Sequence, residues 1–340
     1  MASYIRVNDF APRDGKLTLY CKKVGTKKSD GFAVVENDKV YVIDAGRGDD
    51  REMHRFLLDL RAKWLANQED ANLLEDENAR LEIHIIVSHP HPDHIAAFKR
   101  IFPDFRFCIM SILAPQRAHL SLNVPGALEK LTAYEDRLEL YEKMLPVFLH
   151  TCREITRVPY GEKQEFTLPD SNTVLTLYPS QFDWSEDRPS DSEGIRFLRK
   201  YSSPTYKDDP EHGYSNGVAN GNSLWVKINK GNSVALITGD QRASDEMLGS
   251  MIRYYGEEEF RCSLLKLPHH GEKNYPSYLL DVADPKISIF TCAEGYDTPE
   301  TQEHCERLGD VFYLRDGNLF FTVTEDSITS YGIFPRKREQ

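Results

Sequence analysis

The sequence predicts an α/β protein in which two mixed β-sheets pack face to face and helices cover the outside. Strand-like and helix-like patterns alternate along the 340 residues, and both halves of the chain are rich in short strands. Each strand-rich half must bury an apolar face against another layer, which favours a sheet-on-sheet core with external helices. No repeat of fixed period occurs, and we expect a single domain over residues 1–340.

The first half of the chain predicts strands separated by turns, followed by a helix. Gly31 and the Asn37-Asp38 pair divide three predicted strands, at residues 17–22, 32–36 and 39–43. Residues 49–64 carry apolar side chains at intervals of three and four, which is typical of a helix that buries one face. The other elements predicted here are a strand at 83–87, a short helix at 95–101, a strand at 105–112 and a long amphipathic helix at 127–155.

The second half contains a long polar segment between groups of strands. Residues 180–220 are rich in Asp, Ser, Pro and Gly, which predicts a loop or lid, and loops of this length are often functional. A helix is predicted at 244–254, and another begins at Pro299. The strands predicted in this half are 165–168, 174–178, 223–228, 234–238, 263–267, 311–313, 319–323 and 327–331.

Composition and charge indicate a globular protein and narrow the possible functions. No apolar run approaches the roughly 20 residues of a membrane helix, and the N-terminus lacks a secretory pattern, so we expect a cytoplasmic protein without a membrane partner. The six cysteines are scattered without a Cys-X-X-Cys pair, which is typical of reduced thiols. A net charge of −12 makes nucleic acid an unfavourable partner but permits a small phosphorylated substrate. The sequence does not indicate a protein partner.

The segment Ser88-His89-Pro90-His91-Pro92-Asp93-His94 concentrates four potential metal ligands directly after an apolar strand. Three of the 11 histidines of the chain fall within these few positions. Imidazole nitrogens and a carboxylate oxygen suit Zn²⁺ and similar divalent ions. The two prolines fix φ, so the loop is stiff and its side chains need little reorganisation to converge. The segment therefore predicts a metal-binding loop.

These residues resemble the His-X-His-X-Asp-His signature of the metallo-β-lactamase superfamily, which matches at His89, His91, Asp93 and His94. The likeness continues in order along the chain. Residues 42–46 resemble the strand and Asp44-containing turn that supports the metal loop, residues 236–240 resemble the strand whose aspartate bridges two metals, and residues 265–271 resemble the strand that ends in a ligand histidine. The resemblance implies a four-layer αββα sandwich.

Within that superfamily the sequence is most similar to the branch of the ComEC-type DNA-uptake proteins and the phosphorylcholine esterases. The branch reads Asn-X-X-Ser, a strand, Gly-Asp and then Pro-His-His-Gly, which here are residues 220–223, 239–240 and 268–271. Three positions depart from the pattern. No third-motif histidine precedes Ser223, Glu272 stands where the branch often has serine, and Thr298 stands where it often has histidine.

The resemblance implies two divalent ions, with Zn²⁺ expected and Mn²⁺ or Fe as alternatives. His89 and His91 would hold the first ion, completed by Asn220, Asn222, water or, as a further candidate, His212. The implied metal ligands are His89, His91, Asp93, His94, Asp240 and His270.

The resemblance also implies catalytic and supporting roles. Asp240 would bridge the two ions, and Asp93 would orient a hydroxide or protonate the leaving group. Of the two adjacent histidines, His270 is preferred as the ligand, because it directly precedes Gly271, and His269 would then donate a hydrogen bond to substrate. Asp44 would anchor a ligand histidine or touch metal.

The function expected from this likeness is hydrolysis of a phosphodiester or other phosphoester by a hydroxide that bridges two metals. Hydrolysis of a carboxylic ester, thioester or lactone is the alternative, because the same hydroxide attacks carbonyl carbon. A nuclease component is disfavoured by the net charge of −12. A non-catalytic binding module that keeps the fold is permitted by the missing third histidine.

Overall fold

The computed structural model describes residues 16–25, 27–37, 39–66, 82–89, 91–104, 109–115, 154–181, 220–221, 223–241, 245–272 and 275–332. Most of the helix expected at 127–155 and nearly all of the polar segment 180–220 lie outside these ranges. Among the described residues, no helix has both the length and the apolar character needed to cross a bilayer.

The described strands form two sheets. They are β1 (Leu17–Cys21), β2 (Phe32–Glu36), β3 (Lys39–Ile43), β4 (Glu82–Ile86), β5 (Ile109–Pro115), β6 (Glu154–Val158), β7 (Gln164–Thr167), β8 (Thr173–Tyr178), β9 (Trp225–Lys230), β10 (Ser233–Ile237), β11 (Leu264–Lys266), β12 (Ile287–Phe290), β13 (Asp310–Tyr313), β14 (Leu319–Val323) and β15 (Ile328–Tyr331). The first sheet has eight strands in the order β15-β14-β1-β2-β3-β4-β5-β6. The second has seven in the order β13-β12-β11-β10-β9-β8-β7.

Both sheets are mixed, and each has a parallel half. In the first sheet β3, β4, β5 and β6 pair in parallel, while β1, β2 and β14 pair antiparallel. In the second sheet β10 to β13 are parallel and β7 to β10 are antiparallel. Neighbouring parallel strands end at the same sheet edge, so the turns after β3 and β4 lie side by side, as do those after β10 and β11.

Helices cover the outer face of each sheet. They are α1 (Glu52–Ala66), α2 (Pro92–Ile95), α3 (Phe98–Asp104), α4 (Asp245–Tyr255), α5 (Ser277–Ala283) and α6 (Pro299–Leu308). Alternation along β3 shows the layering: Val40 and Val42 pack with α1 and α3, whereas Tyr41 and Ile43 face the core shared with the second sheet. A third apolar cluster joins the second sheet to α4, α5 and α6. The predicted αββα sandwich is therefore confirmed.

Two of the predicted helices differ from the structure. Residues Glu154–Val158 form β6, although the predicted helix runs to residue 155. Ile155, Thr156 and Val158 are β-branched, and the segment pairs in parallel with β5, so tertiary pairing decides its conformation. The single helix expected at 95–101 is two helices, because the Ala97 N–H donates to Gly46 O instead of continuing the first helix.

Candidate metal centre

The predicted ligands come from turns at one end of both sheets. Asp44 directly follows β3, Ser88 and His89 follow β4, Asp240 follows β10, and His270 follows β11. These strands are parallel neighbours in pairs, and the two sheets pack face to face. Residues that are far apart in sequence therefore meet at the carboxyl ends of the strands.

Backbone hydrogen bonds fix the loop that carries the histidine signature. Pro92 begins α2, where its missing N–H costs nothing. The carbonyl oxygen of His94 accepts the N–H groups of Ala45 (2.6 Å) and Gly46 (2.9 Å), which ties the loop to the turn after β3. The Asp93 carbonyl accepts the N–H of Asp30 at 3.1 Å. The loop is thus held on two sides before any ion binds.

The turn after β11 has an unusual backbone. His269 and His270 have φ values of +48° and +63°, in the left-handed region that non-glycine residues rarely adopt. Gly271 has φ +79°, and a Cβ atom there would lie 2.4 Å from Phe290 Cδ1, so only glycine fits. Such backbone costs of order 1–3 kcal/mol per residue and is found where a side chain must be aimed.

Imidazole rings from both sheets converge on Asp240. Its Oδ2 atom lies 2.9 Å from His270 Nε2, 3.2 Å from His94 Nε2 and 3.9 Å from His89 Nε2. His91 joins from the other side, with its Nδ1 2.9 Å from His89 Nε2. Asp240, His89, His94 and His270 are buried, and the His91 side chain is half-buried.

Three groups hold these rings from behind. Asp44 Oδ2 lies 2.7 Å from His94 Nδ1 and accepts the Ser88 hydroxyl at 2.5 Å. Asp30 Oδ1 lies 3.0 Å from His270 Nδ1, and Ser88 Oγ lies 3.0 Å from His89 Nδ1. A carboxylate on one ring nitrogen fixes the ring orientation and makes the other nitrogen a better ligand.

A fully buried lysine lies behind the carboxylates. Lys266 is the last residue of β11, and its ammonium pairs with Asp30 and donates to Thr238 O at 3.0 Å. It also lies 3.6 Å from Asp240 Oδ1, beyond hydrogen-bond distance. Lys266 therefore balances the charge of Asp30 and contributes to the field at Asp240.

Electrostatic coupling holds the centre in a charged state. Burial alone would raise the pKa of Asp240, but His270 and His94 hold it well below its ordinary value. Burial would lower the pKa of His94, yet Asp240 and Asp44 raise it well above the usual range. For His89, burial lowers the pKa and His94 lowers it further. The carboxylates thus favour positive charge between them.

The residues present fit divalent metal binding. His94 Nε2, His270 Nε2 and Asp240 Oδ1 are buried without a hydrogen bond of acceptable geometry, which is costly unless something binds them. Two ligand groups can be drawn within the described residues, Asp30 with His94, Asp240 and His270, and His89 with His91 and Asp240. Asp240 is common to both. Because Asp30 faces the Nδ1 atom of His270, we assign it to support.

The structure places most of the predicted site residues together, with some distinctions. His270 belongs to the group around Asp240, whereas His269 Nε2 faces Glu272 at 3.5 Å. Asp93 lies at the margin, with Oδ2 3.7 Å from His270 Nε2. Asn220 is buried and its Oδ1 makes no hydrogen bond. Asn222 and His212 lie outside the described residues.

Two residues of the centre were missed by sequence reasoning. The sequence offered one indication of Asp30: it is an isolated acidic residue that precedes Gly31 and the apolar strand β2. Lys266 had a clearer one, because a charged residue interrupts the apolar run Leu264–Leu267, and buried lysines are almost always paired.

Comparison with known proteins gives structural similarity only. No protein-family profile and no curated protein matches the sequence. Among solved structures, the metallo-β-lactamase-fold protein YhfI from Bacillus subtilis aligns over 91% of this chain and 100% of its own, with 11% identity and a TM-score of 0.45. A diphosphatase from the PhnP family aligns over 91% and 98%, with 14% identity and a TM-score of 0.44.

A third similar structure is Tm1679, described as a metal-dependent hydrolase of the β-lactamase superfamily. It aligns over 91% of this chain and 99% of its own, with 11% identity and a TM-score of 0.45. TM-scores below 0.5 decide nothing further about the chain, whose fold follows from its own strand order and layers.

Proposed function

We propose that this protein is a metal-dependent hydrolase that cleaves a small phosphodiester or other phosphoester. The observation that carries the proposal is the convergence of His94, His270 and His89 on Asp240, where the buried Nε2 atoms of His94 and His270 make no hydrogen bond of acceptable geometry. The preference for a phosphoester rests on the order of the Asn220, Gly239-Asp240 and Pro268-Gly271 motifs, which resembles the phosphorylcholine esterase branch.

The proposed roles follow from position. His89 and His91 would hold one ion, His94 and His270 would hold the other with Asp93 at its margin, and Asp240 would contribute to both. When bound, two such ions lower the pKa of a shared water and clamp the attacking and leaving oxygens. Zn²⁺ is the expected metal, with Mn²⁺ and Fe as alternatives.

The protein side chains supply orientation and proton handling. Asp44 and Asp30 hold the His94 and His270 rings, so the ligand atoms need no rearrangement. Asp93 is 14% exposed and therefore can reach a bound substrate, where it orients the nucleophile or protonates the leaving group. Buried Asn220 is available to complete the ligands of the first ion, and His269 to donate a hydrogen bond to substrate.

The test is substitution of ligands at both subsites. Asp240→Ala should remove both ions, and His91→Ala should remove one, and each should lower turnover of bis-p-nitrophenyl phosphate on the order of 10³-fold. Metal content is measured by elemental analysis and folding by circular dichroism. His54→Ala, in α1 and outside the centre, is the matched control and should keep metal and turnover.

Two results would contradict the proposal. One is a folded Asp240→Ala variant that lacks metal yet turns over at the wild-type rate. The other is a wild-type protein loaded with Zn²⁺, Mn²⁺ or Fe that cleaves p-nitrophenyl acetate but no phosphoester, which would support the carboxylic ester alternative.

A further inference from the structure

Lys28 lies in a short segment between two parts of the metal centre. Its backbone forms an antiparallel bridge with Cys292, just beyond β12, and the next residue, Ser29, donates its N–H to Thr291 O at 3.3 Å. Asp30, two residues on, donates its N–H to the carbonyl of Asp93 at 3.1 Å. The segment 28–30 is therefore fixed against both the histidine loop and the end of β12.

The Lys28 side chain is held at the edge of the centre by Glu272. The Nζ atom lies 2.7 Å from Glu272 Oε1, and the same oxygen lies 3.5 Å from His269 Nε2. The Glu272 side chain is 1% exposed, whereas that of Lys28 is 29% exposed. The carboxylate is thus the buried partner, and the lysine side chain is the one that reaches solvent.

The surrounding charges keep Lys28 positive. Burial would lower the pKa of Lys28, but Asp240, Asp93 and Glu272 together raise it above its ordinary value. The same three carboxylates show that the ammonium is within electrostatic reach of the metal ligands. It is a stable cation beside the turn that carries His269 and His270.

Two other lysines close to the centre, among the residues that the structure describes, are not available in this way. Lys266 is fully buried and pairs with Asp30, and Lys22 is fully buried and pairs with Asp50. Lys28 differs because it combines a fixed position with solvent access. An ammonium carries three N–H donors, so one can stay on Glu272 while the others bind an incoming group.

We propose that Lys28 binds a non-bridging oxygen of the anionic substrate and selects phosphoesters over uncharged esters, with Glu272 as the residue that positions it. This inference rests on the proposed function, since it names the residue that would read the charge of that substrate. Glu272 stands at the position where the resembled branch often has serine, so the pair is a property of this chain. A lysine already held in place loses little freedom when substrate binds.

The competing explanation is that the Lys28–Glu272 pair only braces the turn after β11. The two explanations differ for Glu272→Gln. If the pair is a brace, loss of either partner should have the same effect. If Lys28 binds the anion, removing the carboxylate frees the ammonium, and anion binding should be retained or become stronger.

The experiment measures binding of inorganic phosphate to the metal-loaded protein by titration calorimetry, together with kcat and KM for bis-p-nitrophenyl phosphate. Lys28→Met should weaken phosphate binding and raise KM about tenfold, with little change in kcat or metal content, because a charge-assisted hydrogen bond is lost. Lys28→Arg should restore most of the binding. Lys286→Met removes an exposed lysine paired with Asp284 and is the control that should change nothing.

The outcomes separate this inference from the proposed function. Unchanged phosphate affinity in Lys28→Met, or an equal loss in Lys28→Met and Glu272→Gln at full metal content, overturns the role of Lys28. Wild-type protein that cleaves no phosphoester, but whose phosphate affinity still depends on Lys28, contradicts the proposed function and supports Lys28 as an anion-binding residue. Should Lys28→Met fail to fold, Lys28→Gln tests the same point.

Discussion

Asp240 and Glu259 are two carboxylates of the second sheet and its covering layer, and the pKa of each lies below its ordinary value. For Glu259, burial would raise the pKa, and hydrogen bonds from Lys163 and Tyr178 lower it to about 2. The Tyr178 hydroxyl donates to Glu259 at 2.6 Å and Lys163 Nζ at 2.8 Å, while Lys227 Nζ lies at 3.4 Å. The partners of this carboxylate are hydrogen-bond donors.

Asp240 differs in how its neighbours are arranged. The Nε2 atoms of His94 and His270 lie within 3.2 Å of its Oδ2 but make no hydrogen bond of good geometry, and Lys266 stops 3.6 Å from its Oδ1. A lowered pKa therefore occurs both in a structural ion-pair network and in a candidate site. The site is distinguished by His94 Nε2, His270 Nε2 and Asp240 Oδ1, which are buried close together without a hydrogen bond of acceptable geometry.

The largest effect that would sharpen this comparison is expected from Lys266→Met. The substitution leaves the buried carboxylate of Asp30 without its cation, and breaking a buried pair costs about 3 kcal/mol or more of unfolding free energy. Lys227→Met, at the Glu259 network, should cost less than about 1 kcal/mol, because Lys163 and Tyr178 remain. Urea denaturation of the metal-free proteins measures both values.

A double variant supplies the control for that prediction. Asp30→Asn combined with Lys266→Met removes both charges, so it should be less unstable than Lys266→Met alone. If Lys266→Met and Lys227→Met lowered the unfolding free energy equally, the buried pair at the centre would be no more important for stability than the partly exposed Glu259 network.

An intermediate effect is expected from Asp44→Asn. Asn tolerates the positive φ of +55° at this position, so the turn after β3 should persist. The amide no longer offers a carboxylate to His94 Nδ1, and loss of such support lowers metal affinity about 10- to 100-fold. Competition with a fluorescent chelator measures the affinity. Tyr178→Phe removes one hydrogen bond of Glu259, and a loss of metal affinity there would break the comparison.

The sequence could predict the histidine loop and the strand-end ligands, because short spacing and motif order carry that information. His89, His91, Asp93 and His94 are nearly contiguous, and Asp240 and His270 each follow an apolar strand. The Asp30–His270 contact joins residues 240 positions apart, so no local pattern contains it. The pairing of Lys28 with Glu272 spans 244 positions and was missed for the same reason.

The layers of the fold were also predictable, whereas some boundaries were not. Alternation in β2 and β3 and the periodicity of α1 report which face each element buries. The conformation of Glu154–Val158 is decided by its pairing with β5, which is a tertiary contact. The single helix predicted at 95–101 is likewise two helices, α2 and α3, because the Gly46 carbonyl accepts the Ala97 N–H between them.

The smallest effect is expected from Glu259→Gln, and it depends on pH. Because the pKa of Glu259 falls from 4.5 in an ordinary glutamate to about 2 in the folded protein, its contribution is complete above about pH 4.5 and disappears as the pH falls toward 2. The network is partly exposed and screened by solvent, so the variant should lose less than about 1 kcal/mol at pH 7.

Urea denaturation at pH 7 and at pH 3 tests this prediction. The difference in unfolding free energy between wild type and Glu259→Gln should shrink at the lower pH, and metal content at pH 7 should be unchanged. Glu258→Gln alters an exposed neighbour and should show no such dependence. If the difference in unfolding free energy between wild type and Glu259→Gln grew at pH 3, the predicted pH dependence would have the wrong sign. Loss of metal in Glu259→Gln would show that the Glu259 network supports the metal centre. We expect no such loss, because the hydrogen-bond donors around Glu259 account for its lowered pKa without a metal.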